Sequence, residues 1–208
     1  MTFRTMTFTR SFLAASVLAF AAAPAFAQDA PNPAAAESGE YTSDPTHAYI
    51  TFSYSHQGYS RPFLRWRDWN ATLDWDADKP EESDVEVEIV AASIDSGVDK
   101  FDDHLKSADF FEVEKFPTIT FKSGDIEKTG DNTGVMNGVL VVKGEEKPVT
   151  LDVTFNRADF DERKKAHKIG FSARGKVSRT ELGVGKYAPF VGDDVDLLIE
   201  VEFVKPQA

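Results

Sequence analysis

Apolar and polar residues alternate along most of the chain between residues 48 and 203. In the segment from Val149 to Phe155, every second residue is Val, Leu or Phe, and the residues between them are Thr and Asp. Successive side chains of a β-strand point to opposite faces, so this alternation predicts strands with one buried face. The eight stretches of this kind, the second of which is the least regular, are 48–56, 63–75, 85–91, 118–121, 136–142, 149–155, 169–177 and 195–203.

One segment departs from this period. Phe101, Leu105 and Ala108 are spaced at i, i+4 and i+7 with acidic residues before them, which predicts a short amphipathic helix after the third strand. Clusters of Gly, Pro, Asp and Asn separate the strands and favour turns. The chain is therefore predicted to be all-β. Eight antiparallel strands can bury their apolar face either in a two-sheet sandwich or in a closed barrel.

Residues 1–27 are predicted to be a secretory signal peptide. Arg4 and Arg10 are its charged residues, an apolar run from residue 12 to 23 follows, and residues 25–27 are Ala-Phe-Ala. The run is too short to span a bilayer, and the small-residue site predicts cleavage after Ala27. An uncleaved anchor is the alternative. We therefore expect a periplasmic protein with a flexible tether over 28–40 and one domain over 41–205.

The composition excludes several classes of function. The formal net charge of −12, which becomes −14 when Arg4 and Arg10 leave with the leader, argues against a nucleic-acid partner. It also argues against attraction to anionic membrane surfaces, and we expect no stable membrane insertion. The chain has no cysteine, so disulfides, thiolate nucleophiles and cysteine-ligated metals are excluded.

The inner faces of the predicted strands are rich in aromatic residues. Trp66, Trp69 and Trp75 lie within ten positions of each other. These side chains can form a dense core or enclose an apolar cavity, and periodicity does not separate the two. A barrel of eight strands is wide enough either to be filled by its own side chains or to hold one small ligand. The outer faces carry Asp, Glu, Thr and Lys, which favours a water-soluble barrel.

Several short motifs follow one another across the predicted domain. They are DPTHAYITFSYSH at 44–56, DHLKSADFF at 103–111, FPTITF at 116–121, GVLVVKG at 138–144, KPVTL at 147–151, GFSARGKVSR at 170–179 and VGDDV at 191–195. In this order and behind a signal peptide, the set resembles the YceI-like, lipid- and polyisoprenoid-binding family. The sequence departs from the family pattern at 63–69, which is bulkier and more charged, and at Asp102, where Arg is common.

The resemblance implies a lipocalin-like, eight-stranded antiparallel β-barrel that holds a long apolar chain lengthwise, such as a polyisoprenoid, a prenyl quinone or a fatty-acid-like lipid. It also implies periplasmic residence, no catalytic role and no cofactor. A homodimer is plausible from the general frequency of dimers. The inward positions of the strands then give candidate ligand contacts, which are Ile50, Phe52, Tyr54, Trp69, Leu140, Leu151, Phe155, Phe171, Leu197 and Ile199, with Phe101, Leu105 and Phe110 near a mouth.

Three polar residues are candidates for contact with a ligand headgroup. His56 lies on an inner face, and His104 lies on the predicted helix. Arg179 follows the seventh strand, and a half-buried Arg needs either a carboxylate of the protein or an anionic headgroup. Arg65 and Arg67 are expected to stack on the neighbouring indoles as cation–π pairs.

The residues do not favour metal binding or catalysis. His47 and His56 fall on opposite faces of one strand, and no HExxH spacing occurs. The acid pairs at 102–103 and 193–194 lie at a helix start and a turn, where capping explains them. Three hypotheses therefore stand. One is a carrier of an apolar chain, another is an envelope stress or structural protein with a filled barrel that acts through a protein partner, and the weakest is a hydrolase using His56 or His104.

Overall fold

A computed structural model of the chain describes residues 32–206. This part contains ten strands, one α-helix and three single-turn 3-10 helices. The strands are β1 (Gly39–His56), β2 (Phe63–Trp66), β3 (Trp69–Trp75), β4 (Asp84–Val90), β5 (Ile94–Asp95), β6 (Thr118–Lys128), β7 (Thr133–Val142), β8 (Glu145–Asp161), β9 (Ala166–Ser178) and β10 (Val191–Pro206); the helix is α1 (Asp99–Lys106), and the 3-10 turns are Pro33–Ala35, Pro80–Glu82 and Ala91–Ser93.

The strands close into an antiparallel barrel. Each long strand pairs with the next along the chain, and β10 pairs back with β1. We call the end of the barrel where β1 begins the lower end and the opposite end the upper end. The upper half of β1 pairs with β2, where Phe52 lies opposite Leu64. The lower half pairs with β3, where Tyr41 lies opposite Leu73. β2 and β3 are thus one barrel strand interrupted at 67–68. The predicted eight-stranded, lipocalin-like barrel is confirmed.

The short helix after the third strand is also confirmed. β5 follows β4 through a 3-10 turn and pairs with β2, and α1 begins four residues later. The Asp102 carboxylate accepts hydrogen bonds from the backbone N–H and the hydroxyl of Ser96, which fixes the start of the helix. Leu105 is buried in the upper core. The helix ends at Lys106, so Ala108 lies in the turns that follow it.

The contacts of β2 and of the residue that follows it show that the predicted cation–π pairs do not form. Arg65 and Arg67 do not stack on the indoles; their guanidinium groups lie 2.9 and 3.7 Å from the Asp95 carboxylate. The prediction was wrong because alternate side chains of β2 point to opposite faces, so Trp66 is buried while Arg65 stays on the outside, and Arg67, which follows β2, is also exposed. The hydrogen bond from Arg65 lowers the pKa of the Asp95 carboxyl.

A cluster of aromatic and aliphatic side chains closes the lower end of the barrel, where β1 begins. Trp75 stacks on Phe155 with 6.0 Å between ring centroids and an angle of 5° between the rings. Tyr41 is fully buried, and its hydroxyl donates to the backbone oxygen of Glu37. The other members of this floor cluster are Ala36, Ala71, Leu73, Ala158, Ile169 and Phe203.

The segment before β1 packs on this floor. Asn32 caps the 3-10 turn Pro33–Ala35 through its side-chain oxygen, and Ala36 is only 1% exposed. The described part of the expected tether, residues 32–40, therefore contains packed residues. The expected signal peptide, residues 1–27, lies outside the described residues. Within 32–206, no helix has the length and apolar character needed to cross a membrane.

Candidate ligand-binding cavity

The barrel encloses a cavity of about 610 Å³. Every strand of the closed barrel contributes side chains to its wall, and they are the inward members of the period-two pattern. Phe52, Leu140 and Leu197 point inward and yet remain half-buried, because their surfaces face open space rather than other side chains. The interior is therefore not a filled core. Its size falls within the range of pockets that bind small molecules.

Most of the residues singled out from the sequence line this cavity. Those in its wall are Ile50, Phe52, Tyr54, His56, Trp69, Phe101, His104, Leu105, Phe110, Leu140, Leu151, Phe171, Arg179, Leu197 and Ile199. Phe155 does not line the cavity, so the prediction that it contacts the ligand was wrong. It lies one layer below, stacked on Trp75 and edge-on to Phe171 at 5.7 Å, so it supports the floor.

Sequence reasoning missed several of the lining residues contributed by loops. Ser60 and Pro62 come from the β1–β2 connection, and Val184, Lys186 and Tyr187 come from the long β9–β10 connection. The alternation that identified the other residues stops where the strands stop, because only a pleated strand sends every second side chain to the same face. The mixture of apolar and glycine residues in LGVGKYAPF at 182–190 was the available signal.

Polar side chains gather at the upper end of the cavity. His56, Ser60 and Tyr187 are exposed lining residues, and all three lie where β1 ends or β10 begins. The backbone N–H of His56 donates to the carbonyl of Ser60, which turns the chain at this rim. Since the floor is closed by the lower cluster, the cavity is apolar at depth and polar at its mouth.

The imidazole of His104 belongs to a polar group that ties α1 to the β9–β10 loop. Its Nε2 lies 3.0 Å from Asp109 Oδ2, and the Lys186 ammonium pairs with the same carboxylate oxygen. The hydrogen bonds from Lys186 and then from His104 lower the pKa of the Asp109 carboxyl. The His104 ring also packs edge-on against Phe110 and Tyr187. Nε2 of His104 therefore already has a partner within the protein, the carboxylate of Asp109.

Arg179 has a different role from the one expected for it. Its side chain is 8% exposed, and its guanidinium donates to four backbone oxygens rather than to a carboxylate or a free headgroup. These acceptors are the carbonyls of Val184, Lys186, Val191 and Gly192, at 2.8 to 3.2 Å. A guanidinium has five N–H donors, so the loop takes up most of them. Arg179 therefore shapes the mouth by holding the β9–β10 loop.

Asp44, His47 and Glu202 are brought together on the outside of the barrel, with ligand-type atoms within 4.8 Å of one another. Two ammonium groups already occupy this cluster: Lys164 Nζ lies 3.1 Å from Asp44 and Lys168 Nζ lies 2.5 Å from Glu202. The Thr46 hydroxyl contributes most to lowering the pKa of the Asp44 carboxyl. The arrangement is that of an ion-pair network, in which lysines supply the positive charge.

Comparison with known proteins identifies the family. Residues 41–203 match the family described as YceI-like domain. A UPF0312 protein of Azotobacter vinelandii is 36% identical over 159 residues, which are 76% of this chain and 82% of that protein. A UPF0312 protein of Pseudomonas fluorescens is 37% identical over the same length and coverage.

Solved structures share the fold. The Campylobacter jejuni YCEI protein is 30% identical with a TM-score of 0.65, over 71% of this chain and 87% of that one. Burkholderia cenocepacia BcnA is 22% identical with a TM-score of 0.70, over 77% and 98%. A Saccharophagus degradans domain described as polyisoprenoid-binding is 11% identical with a TM-score of 0.63, over 80% and 98%. The chain belongs to the YceI-like family.

Proposed function

We propose that the protein is a periplasmic carrier that holds one long apolar chain lengthwise in the barrel and has no catalytic role. The observation that carries this proposal is the unfilled, apolar cavity that is closed at the floor and polar at the mouth. A filled barrel acting through a protein partner would have no use for this space. Each methylene moved from water into such a cavity contributes about 0.8 kcal/mol, so a long apolar ligand needs few polar contacts to bind.

The length of the cavity favours a chain longer than an ordinary acyl tail. On β10 the lining residues run from Val191 to Phe203. This stretch is about 40 Å long at the rise of an antiparallel strand, and about 30 Å along the axis of a barrel with tilted strands. The hydrocarbon core of a whole bilayer is also about 30 Å thick, so a chain from one leaflet would fill roughly half of the cavity. The length of a polyisoprenoid matches the length of this cavity better than that of a single acyl tail does.

Two further observations support the proposal. The Saccharophagus degradans domain of the same fold is described as polyisoprenoid-binding, although at 11% identity it shares the fold and not these side chains. The leader at 1–27, with its small-residue site before Gln28, supports export to the periplasm. N-terminal sequencing of the protein from a periplasmic extract tests the second point, and a chain that keeps residues 1–27 contradicts it.

A matched pair of substitutions on β10 tests ligand binding. Leu197 lines the cavity, whereas its neighbour Leu198 is not part of the wall and points to the other face of the strand. Leu197→Trp places a large ring in the cavity, and Leu198→Trp adds the same ring outside. We expect native mass spectrometry to show uptake of one prenyl quinone by the unaltered protein and by Leu198→Trp, and reduced uptake by Leu197→Trp.

The outcome that contradicts the proposal is equally specific. An apo mass for the gently purified protein, with no uptake of added prenyl quinone or long-chain lipid, would remove the carrier function. Equal loss of uptake in both Trp variants would show that the ligand does not lie in the barrel. Thermal unfolding of both variants separates a blocked cavity from a damaged fold.

A further inference from the structure

Exposed aromatic side chains are concentrated at the mouth of the cavity. Among residues 32–206, five Tyr and Phe side chains are exposed, and four of them are Tyr59, Phe63, Tyr187 and Phe190, with exposed fractions from 53% to 87%. We call these four the mouth collar. The fifth, Tyr49, lies on the barrel wall. Clustered exposed apolar side chains mark interaction surfaces, whereas single ones are ordinary.

The backbone brings the two halves of the mouth collar together. Tyr59 lies in the β1–β2 turn and Phe63 directly follows it, and Tyr187 and Phe190 lie in the β9–β10 loop. His56 at the end of β1 pairs with Val191 at the start of β10, so the two loops rise from adjacent strands. The mouth collar therefore lies on the side of the mouth formed by the ends of β1, β2 and β10, beside the opening through which a ligand reaches the cavity.

We propose that the mouth collar docks the protein reversibly on the surface of a lipid bilayer, with the cavity mouth against the boundary between headgroups and acyl chains. This inference rests on the proposed function, because a long apolar chain resides in a membrane before a carrier takes it up. Aromatic rings with a polar tip, such as those of Tyr59 and Tyr187, suit this boundary. Docking removes the need for the chain to cross water between the membrane and the barrel.

The charges around the mouth collar favour a neutral lipid surface. Two cations that adjoin it along the chain are already paired within the protein: Arg61 with Asp196, and Lys186 with Asp109. The whole chain carries a formal net charge of −12, so an anionic surface repels it. Attraction through basic residues, the usual route to anionic membranes, is therefore not the basis of docking.

The size of the mouth collar favours a bilayer over a second copy of the chain. Its four side chains of about 200 Å² each are exposed to between 53% and 87%, so their exposed aromatic surface amounts to roughly 600 Å². A stable protein–protein interface buries about 800 Å² on each partner. Shallow insertion of a few aromatic side chains into a membrane surface does not need that area, because it draws on the apolar transfer of each ring.

Flotation with phosphatidylcholine vesicles tests the proposal. The full mature protein and the double variant Tyr59→Ser/Phe190→Ser are compared with Tyr49→Ser, which removes an exposed ring away from the mouth. Neither residue of the double variant lines the cavity. We expect the double variant to bind vesicles at least about tenfold more weakly, since each aromatic ring transferred from water contributes that much or more. Tyr49→Ser should bind as the unaltered protein does, and added phosphatidylglycerol should not strengthen binding.

Three results overturn the proposal. The first is failure of the unaltered protein to float with neutral vesicles, and the second is equal loss of binding in Tyr49→Ser and the double variant. The third is a dimer in analytical ultracentrifugation that the double variant dissociates, which makes the mouth collar a subunit interface. Native mass spectrometry with added prenyl quinone is run on the same samples. Uptake without docking overturns this inference alone, whereas absence of uptake overturns the carrier function itself.

Discussion

The guanidinium of Arg179 donates a hydrogen bond of 2.8 Å to the backbone oxygen of Val191, the first residue of β10. Three more bonds from the same group reach Val184, Lys186 and Gly192. One side chain therefore ties the middle of the loop that borders the mouth to the start of β10. The guanidinium also lies 5.8 Å above the ring of Tyr54, which lines the cavity. The shape of the mouth and the wall of the cavity are linked through this residue.

We predict that Arg179→Lys destabilises the protein by about 3 kcal/mol, because a single ammonium cannot reach four carbonyls spread around a planar fork and leaves buried oxygens without donors. Urea unfolding measures the loss. Hydrogen exchange should show faster exchange of the amides at 182–191, with little change in β6 and β7 on the far wall. Arg174→Lys, at an exposed position of β9, is the control and should unfold as the unaltered protein does.

An unchanged unfolding free energy in Arg179→Lys would show that the four hydrogen bonds contribute little. Uniformly faster exchange over the barrel would show that Arg179 supports the whole fold rather than the loop. Either result would contradict the role assigned here to this residue.

The Asp44 network predicts how stability depends on pH. The Thr46 hydroxyl, His47 and Lys164 stabilise the ionised Asp44 carboxylate and hold its pKa well below the usual value. A carboxyl whose pKa is lower in the folded state stabilises the fold at pH values above its unfolded pKa, near 4, and loses this contribution as the pH falls below it. We expect Asp44→Asn to lower the free energy of unfolding by about 1–3 kcal/mol at pH 7.

Urea unfolding between pH 7 and pH 2 checks this prediction. The difference between the unaltered protein and Asp44→Asn should shrink as the pH falls below 4, because the unfolded chain then binds a proton at Asp44 while the folded chain keeps this carboxyl ionised. Asp74→Asn, at an exposed position of β3, serves as the control. A difference that stays constant down to pH 2 would show that geometry and not charge accounts for the effect of Asp44.

The sequence predicted the parts of this molecule that follow a local period. The strands and the inward residues from Ile50 to Ile199 follow from alternation, because the pleat assigns every second side chain to one face. Closure into a barrel was implied by the resemblance to the YceI-like family, since alternation alone also allows a two-sheet sandwich. In the loops, no period in the sequence tells which side chains face the cavity. The partners of Arg179 are carbonyls up to 13 residues away along the chain, and backbone acceptors leave no signature in the choice of side chains.

Phe155 shows a second limit of the sequence. It obeys the alternation and points inward, yet it lies below the cavity against Trp75. Period-two reasoning tells which face a residue is on and not how far along the barrel the open space extends. That boundary is set by side chains that meet from distant strands, such as Trp75 of β3 and Phe171 of β9.

Two glycines of β9 provide a test of how closely the barrel wall is packed. A Cβ atom at Gly175 would lie 2.9 Å from the backbone oxygen of Thr150 and 2.5 Å from Cδ2 of Leu151, whereas one at Gly170 would have 3.9 Å of clearance. We predict that Gly175→Ala costs about 1–3 kcal/mol of stability, because backbone atoms must shift. Gly170→Ala should be neutral or stabilise by about 0.4–1 kcal/mol, through a less flexible unfolded chain.

Thermal and urea unfolding of the two alanine variants measure this difference directly. Because Leu151 lines the cavity and is the neighbour that a methyl group at Gly175 would push, Gly175→Ala should also weaken prenyl quinone uptake, whereas Gly170→Ala should leave it unchanged. Equal stability of the two variants would mean that β8 and β9 separate at little cost. In that case the wall beside Leu151 is compliant, and the cavity can widen to admit branched chains.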